Sequence, residues 1–152
     1  MGVNVRTKGQ SGEREVAKLL NAIIADVRAE KGLTPLEIRD EIFQRNQNQS
    51  AVGGADLSNP MGLEIEVKRQ ESLSVNSWWT QTVDSAARTG GIPILIYRQN
   101  RKKWRVMMLV NIPVPMDVPN YSSYSSLSNC RAEFDLDTFK QWFKAYAANW
   151  VK

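Results

Sequence analysis

Four side chains carry most of this sequence's capacity for chemistry: Glu13, Asp56, Glu66 and Lys68. Two of them sit in GLEIEVKRQ, residues 62–70, where Leu63, Ile65 and Val67 alternate with Glu64, Glu66 and Lys68. A period of two puts the apolar set on one face of a strand and the charged set on the other. That charged face is either a solvated sheet surface or a place where chemistry happens. Alternate side chains on a strand stand ~7 Å apart, so Glu66 and Lys68 can serve one site without colliding. An acid from a neighbouring strand, such as Asp56, could converge with Glu66 on a hard divalent cation. Magnesium takes oxygen ligands and keeps several waters, so two or three carboxylates suffice. Such an ion polarises a phosphodiester and lowers the pKa of a bound water. A lysine beside it can orient or deprotonate that water, or offset charge building in the transition state. Each residue also has a plainer reading. Lys68 with Glu66 is a charge pair worth under ~1 kcal/mol, Asp56 shapes a turn after Gly53-Gly54, and Glu13 is a first-turn acid favoured by a helix dipole.

Composition narrows the choice. The chain has no histidine, which removes imidazole bases, histidine metal sites and serine–histidine or cysteine–histidine catalysis together. One cysteine, Cys130, excludes disulfide frameworks and cysteine-rich zinc sites. Catalysis must then run on carboxylates, lysine, hydroxyls and oxygen-bound metals. A net charge of +4 and a pI near 9.3 lean toward a polyanionic partner. At 152 residues, 42% hydrophobic and 24% charged, the chain fits one globular domain spanning 1–152. It has no run of ~18 apolar residues, so no membrane partner is expected. MGVNVRTKGQ has no apolar stretch after its charges, which predicts a cytoplasmic protein (host cytoplasm if phage-encoded).

The elements that must position these residues follow from pattern. SGEREVAKLLNAIIADVRAEK, 11–31, predicts a helix capped by Ser11 and ended by Gly32, with Glu13 and Glu15 in its first turn. Val16, Leu20, Ile23, Ile24 and Val27 form its apolar stripe; Glu13 falls within it, and Glu15 points away. Thr34-Pro35-Leu36-Glu37 is a capping-box pattern that predicts a short second helix ending around Phe43. Residues 44–54 read as a strand end entering a loop, and 59–62 as a turn. NSWWTQTVDSAART, 76–89, predicts a helix, and ILIYRQ with WRVMMLVNI a hairpin across 100–103. Residues 113–130, rich in Pro, Ser, Asn and Tyr, predict a long loop. A closing helix over 137–150 puts Phe139, Trp142, Phe143, Tyr146 and Trp150 on one face, more as core or interface than as a cofactor box. The class is α/β: a single domain with a central mixed β-sheet flanked by helices.

Asp56 followed by Glu66-Val67-Lys68 resembles the D…(D/E)xK signature of the PD-(D/E)xK nuclease superfamily. With a leading glutamate in GEREVAKLL, and Gln81 in the helix after the strand, the chain looks most like archaeal-type Holliday junction resolvases and their phage relatives. The resemblance implies a restriction-endonuclease-like, resolvase-like fold and a homodimer that cuts four-way DNA junctions with Mg2+ or Mn2+. It implies that Glu13, Asp56 and Glu66, with Val67 among the metal-site positions, hold the ion, and that Lys68 is the catalytic lysine. Ser50 would touch the scissile phosphate, and Gln81 would support the site. Ala55 stands where the signature has proline, and Glu64 has no assigned role and reads as an exposed or supporting acid.

Arg6, Lys8, Arg45, Arg69 and the cluster Arg98, Arg101, Lys102 and Lys103 are candidate DNA-backbone contacts. The cluster reads equally as a solvated hairpin tip. Trp78 and Trp79 could stack on bases, pack a dimer seam, or be core. Two other functions stay open. One is a PD-(D/E)xK nuclease acting on duplex or single strands, whether restriction-like, nicking or exonucleolytic. The other is a non-catalytic DNA-binding protein on the same scaffold.

Overall fold

The computed structural model describes residues 4–47, 54–115 and 124–152. Among the described residues three α-helices, α1 (Val5–Glu30), α2 (Val75–Thr89) and α3 (Leu136–Trp150), flank one six-stranded sheet. Its strands are β1 (Gln44–Arg45), β2 (Leu57–Ser58), β3 (Leu63–Gln70), β4 (Ile92–Gln99), β5 (Arg105–Pro115) and β6 (Tyr124–Asp135), and they lie in that same order across the sheet. Only β3 and β4 are parallel, since α2 crosses between them; every other pair is antiparallel. The sheet is therefore mixed and helix-flanked, as the sequence pattern predicts.

The alternation in β3 sorts the two layers. Leu63, Ile65 and Val67 join Ile94, Ile96, Val106 and Met108 beneath α1 and α3 in the larger core. Val16, Leu20, Ile24 and Val27 of α1 and Phe139 and Phe143 of α3 close it. The other face of the sheet meets α2. There Trp78 and Trp79 pack on Leu95, Tyr97 and Met107, so neither tryptophan is free to stack on a base. Glu64, Glu66 and Lys68 alternate onto this α2 side.

Several local expectations change. Helix α1 starts at Val5, capped by Asn4 rather than Ser11: the Asn4 side chain accepts a hydrogen bond from the Arg6 amide. Glu13 thus lies in the third turn, out of reach of the N-terminal dipole. The capping box at Thr34 yields only a 3-10 turn, Ile38–Asp40, with no buried residue; Ile38 is 84% exposed. A short helix without a packed face lacks the tertiary support it needs. Helix α2 begins after Ser74, whose side chain makes no capping hydrogen bond among the described residues, and is stopped by Gly90, whose φ of 74° suits glycine. Helix α3 begins at Leu136, its cap Asp135 accepting from the Thr138 amide. Trp142 and Tyr146 pack on the core, but Trp150 stays exposed.

Within the expected loop over 113–130 the described residues are strand: β5 runs to Pro115 and β6 begins at Tyr124, and 116–123 lie outside the described residues. The composition misled for a physical reason. Pairing with β4 ends at Met108, so beyond it β5 bonds only to β6, and Pro113 and Pro115 need not donate on their other side.

Candidate active site

Asp56 sits at the start of β2, beside β3. Extending the Leu57↔Ile65 register by one residue sets it opposite Glu66. Its amide donates to the Ile65 carbonyl at 2.9 Å. Its Oδ2 accepts from the Val67 amide at 2.6 Å. Backbone on both sides of Glu66 therefore fixes this carboxylate, which is only 7% exposed.

The Glu66 carboxyl lies within hydrogen-bonding reach of Asp56. Burial first, and the like charge of Asp56 second, push Glu66 up to about 7, against the pull of Lys68. Lys68 Nζ stands 3.7 Å from Glu66 Oε1, with both side chains mostly buried. Asp56, Glu66 and Lys68 thus form one constellation. The Val67 side chain is buried in the core. As an aliphatic group it cannot ligate an ion, and what Val67 visibly gives the site is the amide that holds Asp56.

Glu13 is buried, as its place in the stripe predicts. Its partner is Arg45: Nε lies 2.6 Å from Glu13 Oε2. Arg45 stands opposite Leu57 in the β1–β2 ladder, one residue from the Asn46 amide that bonds the Asp56 carbonyl. Glu13 thus sits with Arg45 on the α1 side of the sheet, whereas Glu66 and Lys68 face the α2 side, and its carboxylate is committed to a guanidinium. Among the described residues, no three acidic, histidine or cysteine side chains are placed together to hold an ion. The expected Glu13–Asp56–Glu66 triad is accordingly a pair, with the third acid held by Arg45. The remaining pair still fits a hard divalent cation. Its donors are all oxygen, and two adjoining carboxyls that cannot both ionise freely are relieved by a positive charge between them.

Of the two expectations for Glu64, exposed or supporting, the exposed one fails. Glu64 is buried, accepting from Ser85 Oγ at 2.5 Å and Thr89 Oγ1 at 3.0 Å. It ties the end of α2 to β3. Ser85 facing a strand glutamate across the crossover is a signal in principle, but nothing local pairs the two residues. Gln81 lies exposed on α2, one turn before Ser85, and makes no hydrogen bond to Glu66 among the described residues. Ser50 lies outside the described residues.

The basic candidates divide. Lys8 pairs with Glu71 at 2.5 Å. Arg98 pairs with Glu15 at 3.1 Å and lies 4.7 Å over the Trp104 ring. Arg69 packs against Gly12, and its buried Nε has no hydrogen-bond partner among the described residues. Arg6 is exposed beside Arg45 in a cleft of about 760 Å³. Arg101, Lys102 and Lys103 are exposed along a second cleft of about 1050 Å³, which Trp104 and Asp135 also line.

An aspartate and a Glu-x-Lys triplet brought together on adjoining strands of a mixed, helix-flanked sheet define the PD-(D/E)xK nucleases. Residues 4–152 match the family described as "Phage putative PDDEXK endonuclease", and the chain belongs to that family. Among solved structures it is similar to the Holliday junction resolvase Hjc of Archaeoglobus fulgidus. Identity is 19%, covering 65% of this chain and 76% of that one, with a TM-score of 0.32. No curated protein matches the chain in sequence. Among the described residues no helix is long and apolar enough to cross a membrane.

Proposed function

We propose that this nuclease is a Mg2+- or Mn2+-dependent endodeoxyribonuclease that hydrolyses phosphodiesters in branched DNA, acting as a homodimer on four-way junctions. The observation that carries the reading is buried Asp56 paired with half-buried Glu66, with Lys68 beside them. Asp56 and Glu66 are the residues that would hold the cation. When bound there, a divalent ion supplies Lewis-acid polarisation of the phosphodiester and an acidified water. The Lys68 ammonium neutralises charge that develops on the phosphoryl oxygens, and its tether through Glu66 aims it there in advance. Val67 keeps Asp56 oriented through its amide, and Gln81 lies on the helix that covers the Glu66 side of the sheet. Arg6, Lys8, Arg45, Arg69, Arg101, Lys102 and Lys103 would contact the DNA backbone without reading bases, which suits selection by shape. Preference for a junction rests on the likeness of the motif and element order to junction resolvases, and symmetrical cutting requires two copies.

The test is cleavage, in Mg2+ or Mn2+, of a synthetic four-way junction beside linear duplex and single strands. Paired symmetrical nicks in the junction arms are expected. Preferential cutting of duplex or single strands would instead make this a restriction-like, nicking or exonucleolytic enzyme. No cutting of any substrate would leave a binding protein on a nuclease scaffold.

A further inference from the structure

We infer that Asn46 is the positioning residue that aims the Asp56 carboxylate: it clasps the peptide units on both sides of Asp56 and so sets the direction of that side chain. Its bearing on cleavage rests on the reading of Asp56 as part of the cation site.

A side chain points where its own backbone sends it. Peptide units are planar, so when the units before and after a residue are fixed, its φ and ψ are fixed and its Cβ has one direction. Both units flanking Asp56 are held. In the unit before it, Asn46 Nδ2 donates to the Ala55 carbonyl at 3.1 Å, and the Asp56 amide donates to the Ile65 carbonyl at 2.9 Å. In the unit after it, the Asn46 amide donates to the Asp56 carbonyl at 2.8 Å. Two of these three bonds come from one residue, one from its side chain and one from its backbone. The carboxylate aimed in this way accepts from the Val67 amide at 2.6 Å and lies within reach of Glu66.

The local sequence calls for such a clasp. Alanine at 55 does not lock φ as a proline ring would, so its carbonyl has to be held from outside. Gly54 lies close under the same amide: a Cβ there would stand 3.4 Å from Asn46 Nδ2. Asn46 can serve as a fixed point because the chain leading into β1 is itself anchored. Asn21 of α1 donates from Nδ2 to the Phe43 carbonyl and accepts from the Phe43 amide at Oδ1, both at 2.9 Å. Phe43 is 1% exposed and meets the Phe143 ring of α3 edge-on. The path from core to carboxylate is continuous: α1 and α3 hold Phe43, β1 carries Asn46, and Asn46 holds Asp56.

The experiment is amide hydrogen exchange read by NMR on the full chain, where the Val67 amide reports on Asp56. Asn46→Ala should speed exchange at Val67 by about tenfold relative to the amides of β4 and β5. A merely structural role would speed all of them by one factor, through global unfolding. Asn46→Asp, of the same size but with an oxygen that cannot donate in place of Nδ2, should act alike without opening a cavity. Exchange at Val67 that stays level with β4 and β5 in whichever variant folds overturns the inference. Cleavage of a four-way junction in Mg2+ then separates the two levels. It should fall by roughly 10–100-fold in Asn46→Ala, with junction affinity in chelator unchanged. Equal losses of cleavage and affinity would make Asn46 a DNA contact and overturn the inference too. Faster exchange at Val67 with undiminished cleavage would sink the cation-site reading of Asp56 instead.

Discussion

At Glu66 a single carboxyl gathers burial, a like charge and a lysine, and each makes a measurable difference. Glu66→Ala and Lys68→Ala should lower single-turnover cleavage by roughly 10²–10³-fold or more. Binding of a junction in Ca2+ should persist in Lys68→Ala. Equal losses of cleavage and binding would recast Lys68 as a simple phosphate contact. The pH dependence has a definite sign. Glu66 titrates near 7 when folded and near 4.5 when unfolded, so between these values the folded chain keeps a proton that the unfolded chain has released. Without a cation, its contribution to stability is complete below pH 4.5, declines across the interval and is lost above 7. Urea unfolding in chelator should show this slope, and Glu66→Gln should flatten it. A slope unchanged by that substitution would remove Glu66 as its cause.

Elements meet at two points that bear on the site. Helix α1 touches β3 at Gly12, where a Cβ would lie 3.4 Å from Arg69 Cβ and 3.5 Å from Trp104 Cη2. That is room for a methyl and nothing larger. Gly12→Ala should be neutral or raise stability by up to about 1 kcal/mol through helix propensity. Gly12→Leu should lower Tm and cleavage together, because α1 carries Glu13. Matching Tm values for the two variants would show that the approach is looser than the geometry says. Helix α2 is held by Glu64, and Ser85→Ala leaves that buried carboxylate one donor short. A loss of about 1–3 kcal/mol in urea unfolding is expected, with Ser85→Thr recovering part of it.

Across the whole molecule, positive charge is spread over two clefts with different partners. Arg98 and Lys8 are already engaged by Glu15 and Glu71, whereas Arg101, Lys102 and Lys103 remain exposed. Neutralising these three should reduce the dependence of log K on log salt by up to ~0.9 per lost phosphate contact, with no change in junction preference. An unaltered slope would identify the cluster as a solvated turn.

Alternation, helical spacing and composition were enough to determine much of this protein. The two faces of β3, the apolar stripe of α1 and the body of α2 follow from side-chain direction, which each backbone conformation sets locally. The lack of histidine limited the chemistry before any contact was known. What the sequence hid lies between residues far apart in the chain. Arg45 and Glu13 are separated by 32 positions, and Ser85 and Glu64 by 21. No local pattern encodes such pairs, because they exist only once helices dock on the sheet. The same holds for the strands over 113–115 and 124–130, whose polar composition reads as loop until a partner strand satisfies the backbone. Docking also decides the charge state of Glu66, since burial and the approach of Asp56 arise only in the folded chain.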